Sequence, residues 1–365
     1  MIELQVNTKG KKLLIQLNRS IIKKCSVNNL REITIAIDAM GGDLGPAAVV
    51  NGAFLASKKN SKIKYIFFGD KKKITPLLKK KSIFKNNSEI FHTEQVIKND
   101  TKPIDALRKF KKSSMFKAIE YVKSGAADAV VSSGNTGALM VISTVLMKTI
   151  KGINRPAIAS IFPTKKSETL MLDLGANIEC DVKNILDFAI MGNIFSKTVL
   201  GIKNPKIGLL NVGSEILKGN EMVQISAKRL TKEKNIYFYG FIEGNDIPKG
   251  FVDVVVTDGF TGNIALKTAE GISELYTDFL KSSFTDNLYS KVAYKVSLPV
   301  LKSLWDRVNP SKYNGAMFLG LNGIVVKSHG SSDDIGFANA ISVAYDLCIN
   351  NFNEKIIDDI KKNFK

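Results

Sequence analysis

Apolar and polar positions along the chain alternate between two rhythms. Short runs at Ile33-Thr34-Ile35-Ala36-Ile37, Tyr65-Ile66-Phe67-Phe68, Asp128-Ala129-Val130-Val131, Ile207-Gly208-Leu209-Leu210, Phe251 to Val256 and Gly323-Ile324-Val325-Val326 are apolar almost throughout. Continuous apolar runs of this length suit strands buried on both faces. Pro156 to Pro163 and Thr169 to Asp173 are two further strand candidates. Between the runs lie helix-length patterns: lysine-rich after Gly69-Asp70, apolar up to Met147, long from Val182 to Val199, and another opening near Met222. Strands separated by helices predict a three-layer α/β/α fold with a mostly parallel sheet. Pro46 suits the first turn of the helix after the first strand. Asn99 to Lys112, polar and basic, reads as a loop, and Ser113-Ser114 as the cap of the next helix.

Two stretches break this rhythm. Residues 1–32 hold seven Lys/Arg against two Asp/Glu and read as a basic extension, leaving 33–365 as a single α/β domain. Residues 271–306 read as an amphipathic helical hairpin about Ser283 to Ser290, with Phe284, Leu288 and Val292 set among Lys281, Lys291 and Lys295. Such a hairpin either packs on the domain or a dimer partner, or dips its tip into a membrane surface. At a membrane, apolar insertion and lysine attraction to anionic lipid add together.

Composition narrows the classes. No stretch reaches ~18 uninterrupted apolar residues, so no transmembrane helix is expected, and no export signal is recognised at the start. Three cysteines and two histidines show no metal-ligand spacing, so neither a metal nor a cofactor is expected. The chain reads as cytoplasmic. Its formal charge of +19 accompanies abundant Ile, Asn and Phe, the composition that an AT-rich coding sequence produces. The charge still attracts acidic partners. Specific nucleic-acid binding is not expected, because no recognition module and no aromatics interleaved with the basic residues are found.

Chemistry concentrates in glycine-rich turns between a strand and a helix, where free backbone N–H groups gather anions. Four segments share this device: Gly41-Gly42-Asp43, Ser133-Gly134-Asn135-Thr136-Gly137, Lys218-Gly219-Asn220-Glu221 and Gly259-Phe260-Thr261-Gly262-Asn263, with Asp38 and Asp258 at the strand ends. In one open parallel sheet they are expected to converge along a shared carboxyl edge. None matches a P-loop or a dinucleotide fingerprint, which suggests a phosphate-bearing ligand without naming a nucleotide. Lys327-Ser328-His329 follows another strand; His329 is either structural or a site residue. His92 reads as structural. Cys180 has no local base to activate it.

Together these segments resemble the bacterial phosphate acyltransferases of phospholipid synthesis. The motifs are IDAMGGD, LRKFKKSSM, SSGNTGALM, KGINRPAIA, LDLGAN, FAIMG, GLLNVGSEILKGNE, VVVTDGFTGNIALKT and NGIVVKSHGSSD, in order from Ile33 to Tyr345. The resemblance implies a fold similar to the isocitrate dehydrogenase and phosphotransacetylase group, and a homodimer. It also implies peripheral membrane association beside a downstream membrane acyltransferase. The implied reaction is attack of inorganic phosphate on the thioester of acyl-acyl carrier protein. Phosphate is largely dianionic at neutral pH and a thiolate leaves readily, so the site needs positioning and oxyanion stabilisation more than a strong base. Lys218 is expected as the principal charge, with Asn135, Thr136, Asn220 and Asn263 supplying hydrogen bonds and Lys327 and His329 secondary. The acidic carrier is expected to meet a basic face such as Arg108, Lys109, Lys111 and Lys112. A coenzyme A-dependent phosphotransacetylase and a phosphate-binding or scaffolding protein are the alternatives.

Overall fold

The computed structural model describes residues 31–215, 217–285, 288–308 and 313–363. The basic extension, with Cys25, lies outside the described residues except for Arg31 and Glu32. From Ile33 onward the chain forms one compact unit. Its strands are β1 (Ile33–Asp38), β2 (Ile63–Gly69), β3 (Ser88–His92), β4 (Ala129–Ser132), β5 (Ala157–Pro163), β6 (Glu168–Leu172), β7 (Lys206–Leu210), β8 (Tyr237–Ile242), β9 (Val254–Val256), β10 (Ala316–Leu319) and β11 (Ile324–Lys327). They make one 11-stranded sheet in the order β3-β2-β1-β4-β11-β10-β5-β6-β9-β7-β8.

The apolar runs explain why the sheet is central. Successive residues of a strand face opposite sides. Ile33, Ile35 and Ile37 enter one core while Ala36 enters the other; Val254 and Val256 separate from Val255 in the same way. One core is closed by α1 (Gly45–Lys59), α2 (Lys71–Lys79) and the short α3 (Phe84–Asn87). On the other side, α4 (Pro103–Lys109), α5 (Ser114–Lys123) and α6 (Thr136–Met147) close the second core. The first core is completed by α7 (Val182–Thr198), α8 (Glu221–Leu230), α11 (Asp334–Ile349) and α12 (Phe352–Asn363). Each fully buried Ile, Val or Leu contributes about 1.5–3 kcal/mol of transfer free energy. The expected three-layer α/β/α architecture is therefore present.

The direction of the strands differs from the expectation of one carboxyl edge. Seven of the ten pairings are parallel, but β11–β10, β10–β5 and β5–β6 are antiparallel. Three reversals in a row leave β6, β9, β7 and β8 running opposite to β1, β2, β3, β4 and β11. The turns after β1, β4 and β11 consequently lie on one edge of the sheet, and those after β6, β9 and β7 on the other. The four glycine-rich turns do not share an edge.

Other local readings also change. Residues 103–109 form α4 instead of continuing a loop. Pro103 occupies its first turn, Asp105 pairs with Lys109 at 2.9 Å, and Ala106 is fully buried. The hairpin is present but longer than expected, as α9 (Gly259–Thr285) and α10 (Leu288–Val308), with residues 286–287 outside the described residues. Within α9 only Gly259 and Gly262 are buried. The hairpin therefore does not pack along the domain, one of the placements the sequence allowed. Several of its described apolar side chains stay in solvent: Phe279 is 58% and Val292 57% exposed. Phe284 stacks at a tilt on Tyr294, ring centroids 5.5 Å apart, which ties α9 to α10.

Candidate active site

Strands β6, β9 and β7 are neighbours and mutually parallel, so their following loops gather on one edge. Asp173, just past β6, is fully buried. Its Oδ1 accepts hydrogen bonds from the N–H groups of Ile158 (2.9 Å), Gly175 (3.2 Å) and Ala176 (3.0 Å). Its Oδ2 accepts from the Asn177 N–H at 2.7 Å and the Asn177 side chain at 2.9 Å. Burial pushes this carboxyl above its ordinary pKa, against the pull of those donors. A buried acid with this many donors is a structural anchor. It holds the 173–177 loop against the amino end of α9, where the Gly259 N–H donates to the Asn177 carbonyl at 2.8 Å. The approach tolerates no side chain: a Cβ on Gly262 would lie 1.9 Å from the Asp173 carbonyl oxygen. Asn263, one residue on, lies against Gly175.

Two helices begin on this edge. Asp258 caps α9, accepting from the Thr261 N–H at 2.9 Å and the Thr261 hydroxyl at 2.8 Å. Asn220 caps α8 through the Val223 N–H at 2.9 Å. The loop before α8 is closed by Asn211, whose Nδ2 donates to the carbonyls of Gly213 (3.0 Å) and Lys218 (3.1 Å). Gly219 sits at φ +91°, and a Cβ there would meet Asn211 Oδ1 at 2.3 Å. Lys218 is the exposed cation of this loop. Its Nζ lies 3.8 Å from a Glu215 carboxylate oxygen, with both side chains more than half exposed, a pairing worth little. Exposed apolar side chains lie on the same edge: Ile178, Val212 and Leu217 in the loops after β6 and β7, and Phe260 and Ile264 in the first turns of α9.

The opposite edge has a different character. Asp38 is buried and accepts from the Ser132 hydroxyl at 2.7 Å and the Met40 N–H at 3.3 Å. Burial raises its pKa, while the Ser114 and Ser132 hydroxyls oppose the rise. Gly41, Gly42 and Gly134 bring three turns into backbone contact. A Cβ on Gly41 would lie 2.6 Å from the Gly134 nitrogen, and one on Gly42 2.5 Å from Ser133 Oγ. Ser133 donates to the Gly41 carbonyl at 2.9 Å, and the Asp43 N–H donates to the Gly330 carbonyl at 2.8 Å. Lys327 is buried beneath them, its Nζ donating to the Ser133 carbonyl at 3.3 Å and to the Ser328 carbonyl. Burial pushes this ammonium down to about 8, although Asp38 and Asp43 pull it upward. Partial burial likewise lowers His329, whose Nδ1 is 2.8 Å from Ser331 Oγ. Asn135 is used at both ends of its amide: Oδ1 caps α6 through the Ala138 N–H, and Nδ2 donates to the carbonyls of Lys98, Asn99 and Thr101. Thr136 is exposed at the first position of α6, and Gly137 leaves room for Pro103.

Comparison with known proteins settles the family. A family model described as fatty acid synthesis protein matches residues 33–355. The phosphate acyltransferase of Paramagnetospirillum magneticum is 51% identical over 89% of this chain and 93% of its own length. That of Rhodospirillum centenum is 52% identical over 90% and 93%. The chain belongs to the phosphate acyltransferase family. It is accordingly an acyltransferase. Among solved structures, a phosphotransacetylase from Streptococcus pyogenes superposes with a TM-score of 0.58 at 16% identity, covering 93% of this chain and 98% of that one. EutD phosphotransacetylase from Staphylococcus aureus gives 0.55 at 16%, over 94% and 99%. At that identity the likeness establishes the α/β fold.

Set against the sequence, the candidate residues divide into two groups. Lys218, Gly219, Asn220, Asp258, Gly259, Thr261, Gly262 and Asn263 come together on the β6–β9–β7 edge. Asp38, Gly41, Gly42, Asp43, Ser133, Gly134, Asn135, Thr136, Gly137, Lys327 and His329 share the other. Asp173, Asn177 and Asn211 escaped the sequence reading as site residues. The signal for Asp173 was present: it ends a strand before Leu174-Gly175 much as Asp38 ends one before Met40-Gly41-Gly42. Cys180, near Asp173 and Asp258, has its thiol raised by burial to about 11, so it is uncharged at neutral pH and unsuited to attack.

Proposed function

We propose that this acyltransferase moves a fatty acyl group from the thioester of acyl carrier protein to inorganic phosphate, on the edge formed by β6, β9 and β7. The acyl-phosphate produced serves phospholipid synthesis. The observation that carries the assignment is the setting of Lys218. Its side chain is more than half exposed, stands two residues before the Asn220 cap of α8, and shares its sheet edge with the amino end of α9 and with several exposed apolar side chains. A dianion is favoured by the cation and the helix ends, and an acyl chain by the apolar surroundings.

In the reaction, an oxygen of hydrogen phosphate attacks the thioester carbonyl carbon and the carbonyl electrons move onto oxygen. Collapse of that oxyanion breaks the carbon–sulfur bond, and the thiolate takes up the proton released by hydrogen phosphate. Lys218 supplies the full charge during the step, with Asn220 and Asn263 as neighbouring hydrogen-bonding groups. Asp173 acts at one remove by holding the amino end of α9. On the other edge, Lys327 and His329 organise the turns after β4 and β11.

The remaining partners follow from exposed surfaces. The basic segment through Arg108, Lys111 and Lys112 suits the acidic carrier, while Lys109 is engaged by Asp105. The exposed apolar residues of the hairpin suit a second copy in a homodimer and a peripheral contact with the membrane that holds the downstream acyltransferase. Among the described residues no helix is long and apolar enough to cross a membrane.

The deciding experiment compares acyl-acyl carrier protein with acyl-coenzyme A as donors, each with and without phosphate. Phosphate-dependent loss of the carrier thioester, with coenzyme A thioesters poorer, is expected. Equal or better use of short coenzyme A thioesters would assign a phosphotransacetylase. Absence of any phosphate-dependent turnover would leave a binding or scaffolding role.

A further inference from the structure

The residues gathered on the two edges of the sheet are joined by one element. Helix α9 leaves the β6–β9–β7 edge at Gly259 and packs Ala265 and Leu266 onto the second core. Its third turn carries Lys267 and Glu270, paired at 2.6 Å. Both charges act on His329, whose proton affinity is lowered chiefly by burial, and Lys267 acts on Lys327 as well, where burial again dominates. The third turn of α9 therefore faces the loop after β11, on the opposite edge. The helix face between these two points is open. Phe260, Ile264 and Lys267 recur at i, i+4 and i+7, which is one stripe of a helix. Phe260 is 57% and Ile264 50% exposed, and the Lys267 side chain 58%. From Phe260 to Lys267 the helix rises about 10 Å, before the reach of the lysine side chain is added. The Glu270 pairing is solvent-exposed and worth little, so the lysine can turn to an incoming anion.

Two exposed apolar side chains followed by a mobile cation match one part of the donor. The thioester of acyl carrier protein is presented on a pantetheine arm, which is amphipathic and ends in a phosphodiester. Extended like a peptide chain, the arm places its phosphorus about 15 Å from its sulfur. The basic segment suited to the carrier enters α5 at Ser114, whose hydroxyl bonds Asp38, and so lies on the His329 edge. A singly charged diester needs one point charge, which a lysine supplies. A free phosphate ion would serve the reaction only near the thioester, at the far end of the stripe. We infer that the stripe Phe260–Ile264–Lys267 is the track of the pantetheine arm, with Lys267 holding its phosphodiester and the thioester reaching the amino end of α9. The inference rests on the carrier-dependent reaction proposed above. It gives the two edges different tasks: the carrier meets one, and the acyl group is transferred on the other.

Turnover of the full chain on acyl-4′-phosphopantetheine, the soluble stand-in for the carrier arm, and on acyl-pantetheine, which lacks the phosphate, tests the inference. The parent should prefer the first in kcat/KM. Lys267→Ala should reduce that preference by roughly 10- to 100-fold, the range expected for a charge-assisted hydrogen bond, and mainly through KM. Lys267→Arg should restore most of it. Lys218→Ala, by contrast, should lower kcat for both donors and keep the preference. An equal loss on both donors in Lys267→Ala would overturn the inference. So would a raised KM for inorganic phosphate with the donor preference intact, which would place the attacking ion at Lys267. Calorimetric binding of 4′-phosphopantetheine and of pantetheine, to the parent and to Lys267→Ala, reads the same contact without turnover. If no donor reacts but Lys267→Ala weakens only the phosphorylated arm, the contact stands and the proposed reaction fails. If the parent binds both arms equally, the inference fails whatever the outcome of the reaction.

Discussion

Helix α9 contains two glycines whose replacement by alanine should have opposite consequences. At Gly262 the new Cβ would stand 1.9 Å from the Asp173 carbonyl oxygen, whereas at Gly271 it would meet nothing within 4 Å. Both are the same chemical change in the same helix, and in the helix alone each should stabilise by about 1 kcal/mol. At Gly271 that gain is expected in full. At Gly262 the helix end must retreat by about 1 Å, and overpacking of this kind costs about 1–3 kcal/mol. The retreat also strains the bonds from the Gly259 N–H to Asn177 (2.8 Å) and from the Gly262 N–H to Asp258 (3.0 Å), each worth about 1 kcal/mol. The net expectation is a loss of about 2–4 kcal/mol. Activity should fall further than stability explains, since a misplacement of about 1 Å near reacting groups can cost 100-fold in rate. Urea unfolding and steady-state turnover, measured on both variants under conditions where each is folded, provide the comparison. If Gly262→Ala matches Gly271→Ala in stability and in kcat, the anchoring of α9 by Asp173 is wrong.

Three further outcomes are expected. Lys218→Ala should keep the stability of the parent, because the side chain is exposed and only loosely paired, and should lose 100- to 1,000-fold in kcat; near-normal turnover would move the site elsewhere. Lys327 is held at about 8 when folded, below the value near 10.4 of an unfolded lysine. Between those pH values the unfolded chain binds the extra proton, so the lysine's contribution to stability improves as pH rises by about 1.4 kcal/mol per unit. Denaturant titrations from pH 7 to 10 should show wild type gaining on Lys327→Gln above pH 8, and parallel curves would contradict its burial as a cation. Cys180→Ser should keep activity within about two-fold, and the thiol should resist alkylation at pH 7, because burial raises it to about 11.

Much of the local structure was legible in the chain. The runs at Ile33, Tyr65, Asp128, Ile207 and Val254 became strands because both faces of a central sheet are covered, which requires apolar residues at consecutive positions. The helix start at Ser113 was visible as a polar cap, whereas Asn220, read as a site residue, proved to cap α8. Strand β10 was not legible: Ala316–Leu319 is four residues long and is stabilised by antiparallel partners on either side. Helix α4 was hidden by its polarity, since only Ala106 of its seven residues is buried.

What the sequence alone determined was the family, the layers and the residue types that gather near phosphate, because these follow from local pattern and motif order. Tertiary structure decided which of those residues meet. Strand direction depends on pairing between distant segments, and three antiparallel pairings between β11 and β6 placed Lys218 and Lys327 on different edges. The contrast between these two lysines has the same origin. Lys218 ends on an open loop and keeps its solvent, whereas Lys327 is enclosed by the turns after β1 and β4. That enclosure, which no local window records, removes the water that would stabilise its charge.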